Sequence, residues 1–96
     1  MNPEIELSLR KANARLKILR YLNKFNIVYM SQIARDLMLD NSNVKGCLEG
    51  NSRYNKDLSL VNLNLVEIIN KSHKYYKITT YGKEIINEVI KKGDFN

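Results

Sequence analysis

The chain has 96 residues, 44% of them apolar and 27% charged, and its 16 Lys and Arg against 10 Asp and Glu give a formal net charge of +6. One small domain spanning 1–96 is all this length accommodates. A chain of this size buries only about 60 to 65% of its unfolded surface, which leaves no room for a large enclosed active-site cavity. The lone cysteine, Cys47, excludes an internal disulfide, and with His73 as the only histidine a four-ligand zinc site cannot be assembled. No apolar run approaches the roughly 18 residues of a membrane span, and the opening Met1 to Glu6 lacks the basic and apolar regions of a signal peptide. A cytoplasmic protein with no cofactor and no small-molecule ligand is therefore expected.

From Pro3 to Lys24 nothing breaks a helix, and Ile5, Leu9, Ala12, Leu16 and Leu19 recur at steps of four and three, which holds them on one face. The spacing predicts one long first helix, with Asn2 as N-cap, Pro3 at the first helical position, and Glu4 and Glu6 near the positive end of the dipole. Ile18 and Leu22 widen the stripe of its second half to core width, while the first half keeps a narrower seam. Residues 1–15 therefore read as a helical extension with Ile5, Leu9 and Ala12 as a candidate dimer surface, the alternative being that this seam packs within the monomer. Its cations Arg10, Lys11, Arg15, Lys17, Arg20 and Lys24 are expected to coat the solvent face.

Ile27-Val28-Tyr29 predicts a short edge strand. Ser31 is expected to cap a second helix with Ile33, Ala34, Leu37 and Met38 on its apolar face, and Asp40 to Asn43 supplies a turn and several caps for a third. That third helix buries Val44, Cys47 and Leu48. It presents Ser42, Lys45, Gly46 and Glu49, with Asn41 and Asn43 flanking, and Gly50-Asn51-Ser52 ends it. After a polar loop of Arg53, Tyr54, Asn55 and Lys56, the residues Leu58, Leu60, Val61 and Leu63 predict a further short helix with Asn64 as a left-handed C-cap. Leu65 to Asn70 and Tyr75 to Thr79 predict two strands joined by the basic tip Lys71-Ser72-His73-Lys74. Thr80 is expected to cap a last helix that carries Ile85, Ile86, Val89 and Ile90 on one face and closes at Gly93; Ile86, Val89 and Ile90 form a second candidate dimer surface.

This order of elements resembles the winged helix-turn-helix family over about Leu16 to Ile90. The resemblance is carried by Leu60-Val61-Asn62-Leu63-Asn64-Leu65-Val66-Glu67, similar to the family's helix end before its wing, and by Tyr75-Tyr76-Lys77-Ile78-Thr79-Thr80-Tyr81-Gly82, similar to its entry into the last helix. Asn43 to Gly50, with Arg53-Tyr54 and Ser59-Leu60-Val61 following, looks most like a group of archaeal winged-helix proteins predicted to regulate transcription. The resemblance implies an α+β, mainly α, fold with a two-stranded wing and a C-terminal helix. It also implies sequence-dependent binding of double-stranded DNA, as a homodimer, by a recognition helix in the major groove and a basic wing on the flanking backbone. Two departures stand out. Asn64 occupies a position where Gly is usual, and the loop from Gly50 to Asn55 splits what is one continuous recognition helix in many relatives.

The residues themselves fit that chemistry in part. Small polar and basic side chains can read base edges, so Ser42, Asn43 and Lys45, flanked by Asn41, are the candidate reading set. Ser31 and Gln32 are expected to hold phosphate at a helix start, and Lys71, His73 and Lys74 to hold the flank. Arg53, Tyr54 and Lys56 of the polar loop complete the candidate DNA-binding residues. Tyr54 reads equally as a stacking or a packing residue, and Gly46 as a point of close approach or of tight helix packing. Glu49 on the reading face opposes phosphate and favours an alternative, a protein-interaction module. Sequence-independent chromatin or RNA binding is the third reading. With Cys47 a core residue and no paired carboxylates, no phosphate loop and no Ser-His-Asp order, catalysis is not expected.

Overall fold

The computed structural model describes residues 2–92, with side chains through Lys91; the helix end expected at Gly93 lies outside the described residues. The chain is α+β and mainly helical, with five helices and a three-stranded antiparallel sheet among the described residues. Helix α1 (Pro3–Lys11) begins as the sequence dictates: Asn2 accepts a hydrogen bond from the Glu4 amide at 2.8 Å, and Pro3 follows at the first helical position. The expected single helix then breaks. Ala12 is extended, with φ −135° and ψ 102°, and α2 (Asn13–Lys24) starts afresh beyond it.

The break has a packing cause rather than a sequence signal. Folding α1 back lets Ile5 and Leu9 join the core, and Ser8, fully buried, donates from Oγ to the Leu58 carbonyl at 2.6 Å. The Ser8 carbonyl, near the helix end, accepts from the Arg15 guanidinium at 3.1 Å. Two expectations are corrected by this. The seam of Ile5 and Leu9 is buried within the chain instead of facing a second copy, as are Ile86 and Val89 of the closing helix; Ala12 is half-buried, and of the six only Ile90 is exposed, at 50%. Arg15, expected in solvent, is 2% exposed.

Strand β1 (Ile27–Val28) is the short edge strand expected, and α3 (Met30–Leu37) follows with Tyr29 at its N-cap, so Ser31 lies inside the first turn rather than capping it. Helix α3 ends at Met38 in the left-handed region, φ 57°, which turns that side chain outward to 91% exposure instead of onto the apolar face. Asp40 caps α4 (Asn41–Glu49) by accepting from the Asn43 amide at 2.8 Å. Val44, Cys47 and Leu48 point into the core as the periodicity requires.

No α-helix forms over Leu58 to Leu63. A 3-10 turn (Lys56–Leu58) and a series of tight turns replace it, because the Leu60 and Val61 amides bond back to the carbonyls of Cys47 and Leu48 at 3.0 and 2.9 Å. Asn64 adopts φ 62°, the left-handed conformation expected of it. Strands β2 (Val66–Asn70) and β3 (Lys74–Ile78) form the hairpin, with Val66 opposite Ile78 and Asn70 opposite Lys74; β1 pairs on the other side of β3, giving the order β1-β3-β2. At the start of α5 (Thr80–Lys92) the capping hydroxyl belongs to Thr79, not Thr80: its Oγ1 accepts from the Gly82 amide at 2.8 Å and donates to the Asn64 carbonyl at 2.7 Å. Gly82 is required there, since a Cβ would meet Ile78 Cγ1 at 2.8 Å.

Candidate nucleic-acid interface

The start of α3, one face of α4 and the hairpin enclose an open groove of about 720 Å³. Four residues singled out in the sequence meet there, Ser31 from α3, Lys45 from α4, and His73 and Lys74 from the hairpin tip. Tyr29, Met30, Tyr75 and Tyr76 complete its wall. Tyr29 and Tyr75 form a tilted ring pair with centroids 5.8 Å apart, and His73 stands edge-on to Tyr75 at 6.4 Å. Tyr29 lines the groove although it is not among the residues singled out in the sequence. Strand alternation carried the signal: Val28 is buried, so its neighbour Tyr29 must turn outward.

Glu49 is not a solvent-facing residue of the reading face. Its carboxylate lies 2.7 Å from Lys74 Nζ and 3.9 Å from Lys45 Nζ, and it also accepts from the Tyr76 hydroxyl. Burial works to raise the Glu49 pKa, but the hydrogen bonds from Lys74 and Tyr76 and the charges of Lys45 and Lys74 outweigh it and hold the carboxyl below its usual range. The Tyr76 phenol is pushed up, by burial first and then by that same bond. Glu49 therefore pins the last turn of α4 to the hairpin and fixes the width of the groove, while neutralising part of the basic tip.

The other candidate residues are distributed more widely. Asn41 and Ser42 are exposed on the first turn of α4 and Asn43 is half-buried; Asn51 donates to the Ser42 carbonyl at 2.8 Å, which anchors the polar loop to that turn. Gln32 is half-buried and Lys71 is exposed at the hairpin tip. Arg53 and Lys56 are exposed but do not line the groove. Tyr54 packs: its ring covers Gly46, where a Cβ would lie 2.8 Å from Cγ of the ring and 2.9 Å from Asn51 Nδ2. Gly46 is buried and serves close packing of the loop, and Tyr54 itself is half-buried. The fully buried Cys47 thiol is pushed up to about 11, chiefly by burial.

Among the described residues no cluster of three or more His, Cys, Asp or Glu could hold a metal ion. No described helix is long and apolar enough to cross a membrane.

Fold and groove together define a small basic α+β domain whose two short helices and hairpin frame one concave face lined by tyrosines and basic side chains. The model of the EarA-like family matches residues 5–89, and the chain belongs to that family. It is 46% identical over 98 residues to an uncharacterized protein of the archaeon Methanocaldococcus jannaschii, an alignment that covers 98% of this chain and 87% of that relative. No solved structure matches.

Proposed function

We propose that the chain is a cytoplasmic double-stranded DNA-binding protein of the winged helix-turn-helix type that regulates transcription. The observation that carries the reading is the convergence of Ser31, Lys45, His73 and Lys74 on one groove between two helices and a hairpin. In this arrangement α4 enters the major groove, with Asn41, Ser42, Asn43 and Lys45 on its leading turns, where uncharged polar groups and one cation meet base edges. Helix α3 has neither a side-chain cap nor an acid in its first turn, so its free amides with Ser31 and Gln32 suit a phosphate oxygen. Lys71 at the hairpin tip takes the flanking backbone.

A second reading, a protein-interaction module, is favoured by the Tyr29–Tyr75 pair and by the loss of half the tip's positive charge to Glu49. One titration separates the two. Anisotropy of labelled random-pool duplex is followed at two salt concentrations, and the duplexes retained at the higher salt are sequenced. A steep salt dependence with an enriched motif is the expected result. A steep dependence without a motif supports sequence-independent binding, and no binding at low salt transfers the groove to a protein partner.

A further inference from the structure

Arg15 is the least expected side chain in the fold. It is 2% exposed, no carboxylate pairs with it among the described residues, and its Nε has no hydrogen-bond partner. A guanidinium keeps its proton even when buried, so this is a retained charge whose burial opposes folding. Only the Ser8 carbonyl and the face of Tyr54, 5.6 Å from the guanidinium carbon, compensate it.

Arg15 lines a cleft of about 240 Å³ at the α1–α2 bend, together with Lys11, Arg53, Tyr54 and Asn55. No acid lines that cleft, and none of its lining residues belongs to the groove described above. Lys11 and Arg53 are exposed at its edge, with no ion pair among the described residues. The cleft also opens at the N-terminus of the 12-residue helix α2, which has no side-chain cap and no acid in its first turn, whereas α1 has both. Three cations and an uncapped helix start thus surround one space, and one of those cations is held there at a cost.

We propose that this cleft is a phosphate-binding site for a small phosphate ester, with Arg15 as its floor and Lys11 and Arg53 at its rim. The guanidinium supplies planar donors, the rim supplies charge, and the positive end of the α2 dipole at Ala12 adds to it, the combination that recognises a dianionic oxyanion. The site does not rest on the DNA-binding reading.

The test is two-dimensional NMR of the isotope-labelled full chain, titrated with sodium phosphate and then glycerol phosphate, against sodium chloride at matched ionic strength. Saturable shifts at the amides of Asn13 and Asn55 and at Arg15 Nε–H are expected. Lys11→Ala and Arg53→Ala, both at exposed positions, each weaken the response by about tenfold. Arg15→Met keeps the side chain's bulk, abolishes the response and raises the melting temperature of the phosphate-free chain; if that variant does not fold, the two rim variants decide. A linear drift that the Lys11/Arg53 double variant leaves unchanged means an adventitious ion only and overturns the site. In a second arm a short duplex is added. Displacement of phosphate from these resonances assigns the site to a nucleic-acid backbone and overturns the small-ester reading, whereas phosphate that stays bound supports it. Absence of duplex binding defeats the proposed function and leaves this titration intact.

Discussion

Three single residues carry tests of their own. Glu49 has a folded-state pKa below its unfolded value, so its stabilising contribution is fully present above the unfolded value, near 4.3 for an ordinary Glu, and is lost as pH falls through the lowered one. Urea melts between neutral pH and the acid range check this: Glu49→Gln is expected to be less stable than the parent at neutral pH, with the gap closing in acid. The same variant frees Lys74. In the DNA titration it is expected to steepen the salt dependence by about one ion, whereas Lys74→Ala in the parent flattens it by less than the roughly one ion that Lys71→Ala removes, because only Lys74 is already paired. Gly46→Ala gains about 1 kcal/mol of helix propensity yet drives a methyl into the Tyr54 ring. Net destabilisation in denaturant melts is expected, and the Gly46→Ala/Tyr54→Ala double variant should recover the propensity gain relative to Tyr54→Ala. Cys47, buried and with its thiol at about 11, is expected to resist iodoacetamide in the native chain and to react once it is unfolded.

At the scale of elements, helix α1 is where packing overrode pattern. Its spacing fits an extended seam equally well as one half of a monomer core, because periodicity fixes which side chains share a face but not what covers that face. Bending at Ala12 covers it within the chain. Leu9→Ala, which empties a fully buried site, is therefore expected to cost about 2–5 kcal/mol in urea unfolding, with no change of sedimenting mass. A variant that sediments at half the parent's mass with unchanged stability would return α1 to a subunit interface. The segment from Lys56 to Leu63 teaches the same point from the other side. Its leucines share a helical spacing, yet the carbonyls at the end of α4 capture the Leu60 and Val61 amides first and hold the backbone in turns.

Across the whole molecule, two separate concavities are lined by cations and bear on the proposals above. One is the groove of α3, α4 and hairpin, where Glu49 moderates the cations; the other is the bend of α1 and α2, where no acid does so. Tyr54 lies against α4 and also beneath Arg15, so it touches both the helix of the first site and the floor of the second. The sequence by itself determined the strands, the Asn2 cap, the left-handed turn at Asn64 and the inward faces of α2, α4 and α5, because each depends on propensity or on side-chain spacing within a few residues. Only the tertiary structure decided the break at Ala12, the burial of Arg15, the tie from Glu49 to Lys74 and Tyr76, which of α4's cap candidates is used, and the meeting of Ser31, Lys45, His73 and Lys74 in one groove. Apart from the cap, those depend on contacts between residues far apart in the chain, and a one-dimensional pattern does not record which distant partner will reach a given side chain first.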